Sequence, residues 1–108
     1  EPPLAAEVRL GPGKTHTVML NSTKPSVLSY GFSLEEGVLA FSVSQTNAKG
    51  LELALVDEAV EAGEAHGSVE IQPGEVKVTF DNSAAWLRSR RIDYSLALTD
   101  RHIHGLHP

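Results

Sequence analysis

Two alternating runs in the last third of the chain place the strongest constraint on its fold. Residues 76–80 alternate between apolar and polar, and residues 92–98 do the same. This period of two is typical of a strand with one buried face. Between the runs, the side chains of Asp81, Asn82 and Ser83 can hydrogen-bond to the local backbone, so the first strand is expected to end there. The segment predicts two strands joined by a turn.

Similar short runs occur along the rest of the chain, separated by glycine, proline and polar residues. They lie at 7–10, 14–21, 27–34, 39–43, 51–55 and 68–72. Residues 35–37 are predicted to form a hairpin loop, and residues 57–64 an acidic loop. Since no helical period is sustained, the pattern predicts an all-β fold, an antiparallel β-sandwich of jelly-roll type with about eight strands.

Aromatic side chains dominate the predicted core. Trp86 lies in the connection after the turn, beside two alanines, and is predicted to cover one end of the core. An exposed Trp86 would instead favour a platform on which sugars stack. The predicted core residues are Tyr30, Phe32, Phe41, Phe80, Trp86 and Tyr94.

Composition limits the domain organisation and the cellular setting. The chain has 108 residues, 41% of them apolar, which is enough for one compact domain. Cysteine is absent, so disulfides and thiolate metal sites are excluded and a cytoplasmic location is expected. No apolar run approaches the roughly 18 residues that span a bilayer, and no signal-peptide pattern occurs. We expect a linker from a larger protein at 1–6, the domain at 7–99 and a flexible tail at 100–108.

Sequence signals of an enzyme are missing. Neither a Gly-x-Ser-x-Gly motif nor a phosphate-binding glycine loop occurs. His102, His104 and His107 could bind zinc, but they follow the last strand without a scaffold and are expected to belong to the tail. The single carboxylate of Asp81 is a poor calcium site, so turn capping is the preferred interpretation. We therefore predict no catalytic residue, no metal and no cofactor.

Charge is distributed unevenly along the chain. The net charge of −5 argues against general binding of nucleic acids. Residues 35–64 include seven acids and one lysine, whereas residues 77–91 include four cations and one acid. We predict that these cations bind an acidic partner or an anionic membrane, with solvated surface or cross-strand ion pairs as the alternatives. The cations are Lys77, Arg88, Arg90 and Arg91.

The segment 73–98 resembles the signature of the GOLD (Golgi dynamics) domain family. That signature has a Pro-Gly pair, a hydrophobic strand, Phe-Asp-Asn-Ser, an aromatic residue, a basic pair, and a tyrosine that begins an alternating strand. The corresponding residues here are Pro73-Gly74, 76–78, Phe80-Asp81-Asn82-Ser83, Trp86, Arg90-Arg91 and 94–98. With weaker matches upstream, the resemblance covers residues 8–98.

The resemblance implies a non-catalytic adaptor domain in Golgi, vesicle or membrane trafficking. Its implied partners are trafficking or adaptor proteins and anionic membrane lipids, at a cytoplasmic location peripheral to Golgi or vesicle membranes. The chain lacks the cysteine pair of the luminal cargo receptors, which favours the cytosolic branch of the family. The alternative is a β-sandwich module for a small ligand, a lipid or a carbohydrate, bound between the sheets or near Trp86.

Overall fold

A computed structural model describes residues 4–83 and 88–100, and all of their regular structure is antiparallel β-sheet. These two ranges contain no helix that could cross a membrane. Trp86 and the histidines at 102, 104 and 107 lie outside the described residues. The strands are β1 (Leu4–Leu10), β2 (Thr15–Ser22), β3 (Ser26–Thr46), β4 (Glu52–Ile71), β5 (Gly74–Asp81) and β6 (Arg90–Asp100).

The long hairpin of β3 and β4 organises these strands into two layers. Residues 26–34 of β3 pair with β6, which pairs with β1, and residues 63–71 of β4 flank them on the other side. We call these segments the front layer. Residues 40–46 of β3 pair with β5, which pairs with β2, and residues 52–61 of β4, paired with 38–46 of β3, complete the back layer.

The long strands β3 and β4, which continue through the bend between the layers, correct three of our predictions. Three residues of β3, 35–37, lie opposite the single residue Ala62 of β4, so the register shifts there. Such a bulge redirects a strand without ending it. Residues 35–37 are therefore not a hairpin loop, and residues 57–64 are part of β4 and not a loop. Because β3 and β4 each run through both layers, the strand count is six and the prediction of eight is wrong.

Aromatic rings fill the space between the layers. Phe32 and Tyr94 point inward from the front layer, and Phe41 and Phe80 point inward from the back layer. The ring centroids of Phe32 and Phe80 are 5.3 Å apart at 86°, and those of Phe80 and Tyr94 are 5.1 Å apart. Tyr30 is half-buried, with its ring centroid 4.9 Å from that of Phe41. Edge-to-face and tilted contacts of this kind add to the free energy of apolar burial.

The Asn82 side chain joins three segments at one end of the sandwich. It is 1% exposed, and its Nδ2 lies 3.2, 3.1 and 3.1 Å from the carbonyl oxygens of Leu10, Gly11 and Arg88. Its backbone N–H also donates to Lys14 O at 2.9 Å. Asn82 therefore holds β1, the β1–β2 turn and the segment just before β6 together through hydrogen bonds to their backbone carbonyls.

We expect Phe80→Ala to lower the free energy of unfolding by about 3–5 kcal/mol, because the ring is fully buried among three others. Urea unfolding followed by circular dichroism measures this loss. Met19→Ala on β2 is the matched control, because that side chain is 49% exposed and its truncation should change stability by less than about 0.5 kcal/mol. An equally small effect at position 80 would contradict the proposed core.

We expect Gly37→Ala to destabilise the protein more than Gly50→Ala, by about 1 kcal/mol. Both glycines have nearly the same positive φ, 83° and 84°, so both variants incur the same backbone strain of about 1–2 kcal/mol. A methyl group at position 37 would also collide with the Arg90 guanidinium, whereas nothing lies within 4 Å at position 50. Equal losses in urea unfolding would show that the packing of Arg90 against the bend contributes nothing.

Candidate functional site

The outer face of the front layer carries side chains in rows that cross the strands. Strand register defines these rows, which are about 7 Å apart along each strand, while neighbouring strands are about 4.8 Å apart. In the order β1, β6, β3, β4, the acidic row is Glu7, Asp93, Ser33 and Glu64. The next two rows, which we call the small rows, contain Ala5, Ser95, Gly31 and His66, followed by Ala97, Ser29 and Ser68.

A shallow groove of about 530 Å³ lies over the small rows and is bordered by the acidic row. We call it the front groove. Short side chains form its floor, because glycine, alanine and serine rise little above the backbone of the sheet. Hydroxyl groups and carboxylates supply its hydrogen-bonding groups. The outer-face residues that line it are Ser29, Gly31, Ser33, Glu64, His66, Asp93, Ser95 and Ala97.

The imidazole of His66 lies over the backbone of Gly31, its register partner on β3. A Cβ atom at position 31 would be 2.9 Å from His66 Nδ1, so a larger residue there would displace the ring. His66 Nε2 is 3.5 Å from Glu64 Oε1, and the His66 side chain is 72% exposed. Gly31 and Glu64 therefore hold an accessible ring within the groove.

Three carboxylates along one side of the front layer share the guanidinium of Arg91. Its Nε is 3.2 Å from Glu7 Oε2, its Nη2 is 3.6 Å from Asp93 Oδ2, and its Nη1 is 3.8 Å from Glu35 Oε2. Each pair is about half exposed, so each contributes little to stability. The network nevertheless fixes the charge at this end of the groove, where the carboxylates outnumber the arginine that they contact.

Arg88 and Arg90, also predicted to bind a partner, lie near the bend of β3. Arg88 Nη1 is 3.7 Å from Glu36 Oε1. Arg90 packs against Gly37, and its Nη1 donates to Ser89 O at 3.3 Å. The predicted arginine cluster thus lies among acidic and backbone groups, and its role in binding an acidic partner or membrane stays a prediction.

Lys77 lies elsewhere, on the outer face of the back layer. Its Nζ is 3.1 Å from Glu52 Oε2, which also accepts a hydrogen bond from Ser44 Oγ at 2.6 Å. The Ser44 hydrogen bond, followed by the hydrogen bond and charge of Lys77, lowers the pKa of the Glu52 carboxyl. The structure therefore does not bring Lys77 together with the three arginines.

The two tyrosines belong to the core and not to the groove. Burial raises the pKa of Tyr94, whose hydroxyl lies 3.0 Å from His16 Nε2. Burial, and then the negative charge of Glu58, raises the pKa of Tyr30, whose hydroxyl packs over Gly67. Both hydroxyls stay protonated near neutral pH and donate or accept hydrogen bonds without acting as bases.

Metal coordination has no candidate among residues 4–83 and 88–100. These ranges contain no group of three histidine, cysteine or acidic side chains that could hold a metal ion. The Asp81 carboxylate instead accepts a hydrogen bond from the Ser83 backbone N–H at 2.7 Å, an interaction that stabilises the turn. His102, His104 and His107 lie outside the described part of the chain.

Comparison with known proteins reveals similar solved structures. A CBM4 module has 12% identity and a TM-score of 0.55, over 90% of this chain and 84% of that one. The N-terminal cellulose-binding domain of Cellulomonas fimi β-1,4-glucanase C has 15% identity and a TM-score of 0.56, over 91% and 79%. A variant of the family 29 carbohydrate-binding module CBM29-2, complexed with cellohexaose, has 13% identity and a TM-score of 0.53, over 89% and 70%.

These likenesses show the fold, a β-sandwich, and overturn the functional prediction that rested on the GOLD resemblance. The similar structures are carbohydrate-binding modules, so the prediction of an adaptor in Golgi or vesicle trafficking is wrong. No protein-family model and no curated protein matches the sequence. The resemblance to the GOLD family and the cytoplasmic location stay predictions.

Proposed function

We propose that this protein is a non-catalytic carbohydrate-binding module of jelly-roll type, and that the front groove is its binding site. The observation that carries the proposal is the floor of small residues with an exposed imidazole, bordered by hydroxyls and carboxylates. The similarity of the sandwich to carbohydrate-binding modules supports it.

The groove has the chemistry that sugars require. Sugar hydroxyls donate hydrogen bonds to carboxylates such as Glu64 and Asp93, and they exchange hydrogen bonds with the hydroxyls of Ser29 and Ser95. The His66 ring offers a flat surface against which the less polar face of a sugar can pack. Four strands span about 14 Å, and beside the His66 ring the small rows present short side chains to a sugar chain that lies across the sheet.

The carboxylates of the groove are suited to binding and not to glycoside hydrolysis. That reaction needs a carboxylic acid that stays protonated, usually because a hydrophobic pocket surrounds it. Glu64 is 76% exposed beside His66, and Asp93 is 48% exposed beside Arg91. Neither carboxyl group lies in a hydrophobic pocket, so we assign both residues to recognition.

A lipid between the layers is the less favoured ligand. Phe32, Phe41 and Phe80 are at most 3% exposed, and their rings occupy the interior with centroids 4.8 to 5.3 Å apart. An acyl chain would have to displace these rings, whereas a sugar chain can occupy the front groove without any change in the core.

Calorimetric titration with cellohexaose and with soluble glucan, xylan and mannan tests the proposal. We expect at least one of them to bind, and Ser95→Leu to weaken that binding about tenfold, or about 1.4 kcal/mol, because the larger side chain fills the groove. Thr17→Leu, on the outer face of the back layer, is the matched control and should change affinity by less than about twofold. Failure of the whole panel to bind, or equal affinity in both variants, would contradict the assignment.

A further inference from the structure

The front groove carries a charge imbalance that bears on which sugars it accepts, provided that it is the carbohydrate site proposed above. At one end, Glu7, Glu35 and Asp93 contact the single guanidinium of Arg91, and Arg9 is the neighbour of Arg91 across the strands. The lining of the groove itself contains two carboxylates, Glu64 and Asp93, and no lysine or arginine.

The opposite side of the groove, formed by β4, has no permanent cation. All 20 residues of β4 are described, and none is lysine or arginine. Glu64 has His66 as its neighbour, 3.5 Å away, and no lysine or arginine of β4 balances its carboxylate. This side of the groove therefore offers a carboxylate without a permanent cation on the same strand.

The two sides are close enough to act on one ligand group. Glu64 and Asp93 are both register partners of Ser33, one on each side of it, so their backbones are about 10 Å apart. An ammonium group above Ser33 lies between two carboxylates and can donate hydrogen bonds to either. A carboxylate at the same place would be repelled by both.

We propose that the front groove selects sugar polymers that carry amines over polymers that carry carboxylates, with neutral polymers between them. Exposed ion pairs of this kind contribute up to about 1 kcal/mol each, so we expect each step of the series to change affinity by about two- to fivefold. Because the charges are exposed, salt should reduce the differences as the screening length shortens.

Cellulose oligomers with one backbone and three substituents test this selectivity. Aminoethyl, hydroxyethyl and carboxymethyl derivatives differ mainly in charge, and their affinities are measured by calorimetry near pH 7.5. We expect affinity to fall in that order at about 0.02 M salt, and the differences in affinity among the three derivatives to disappear at about 0.3 M. Equal or tighter binding of the carboxymethyl derivative would overturn the inference.

Two variants separate selectivity in the groove from general attraction to an acidic protein. Glu64→Gln should reduce the ratio of aminoethyl to hydroxyethyl affinity by about two- to fivefold. Glu75→Gln makes the same charge change on the outer face of the back layer and should leave the ratio within about 1.5-fold of the parent. Equal effects of the two variants would overturn the inference.

The neutral derivative distinguishes a failure of this inference from a failure of the proposed function. If hydroxyethyl oligomers bind and Ser95→Leu weakens that binding about tenfold, but all three derivatives bind equally well, the carbohydrate site stands and the selectivity is wrong. If no derivative binds, both are wrong. Persistent aminoethyl binding to Ser95→Leu would place the amine outside the groove and would also overturn the inference.

Discussion

The bend of β3 at residues 35–37 is the constraint on which the rest of the structure depends. Before the bend β3 pairs with β6, and after it β3 pairs with β5, so one strand belongs to both layers. The positive φ of Gly37 and the absence of a side chain beside Arg90 make this change of direction possible. Because β3 turns over the core, Phe32 and Phe41 face each other from opposite layers, with centroids 4.8 Å apart.

The register of the same hairpin determines the chemistry of the outer surface. Gly31 of β3 lies opposite His66 of β4, and Ser33 lies between Glu64 and Asp93. A shift of one residue in β4 would move these side chains to the inner face, since successive side chains point to opposite faces of a sheet. The bulge absorbs two extra residues of β3 and so preserves the pairing on both of its sides. The core and the front groove therefore both depend on the same register between β3 and β4.

Alternation along the chain was sufficient to predict the class of fold and the places of the strands. Each of the eight predicted runs falls on one of the six strands, because burial of one face imposes a period of two wherever the chain is extended. The bend escaped prediction because Glu35-Glu36-Gly37 has the composition of a hairpin loop, and its exposed polar residues suit a bulge equally well. Residues 57–64 were predicted as a loop because the exposed edge strand β4 tolerates alanine and glutamate.

The candidate site could not be read from the chain, because its residues meet only through pairing between distant strands. His66 is isolated in sequence, and only the β3–β4 register places it over Gly31. The ion pairs of Arg91 with Glu7 and Glu35 likewise join residues that are more than fifty positions apart. A local excess of cations at 77–91 therefore suggested a basic face, although the folded chain brings acidic side chains to most of them.

The most direct test of the proposed carbohydrate-binding surface is a titration of the ¹⁵N-labelled protein with cellohexaose, followed by NMR of the backbone amides. If cellohexaose binds in the front groove, the largest changes in chemical shift should occur at the amides of Gly31, His66 and Ser95. These changes should saturate at the same ligand concentration. Amides of the back layer, such as those of Thr17 and Thr79, should remain unchanged. Changes centred on the back layer, or an unchanged spectrum at saturating ligand, would contradict the account.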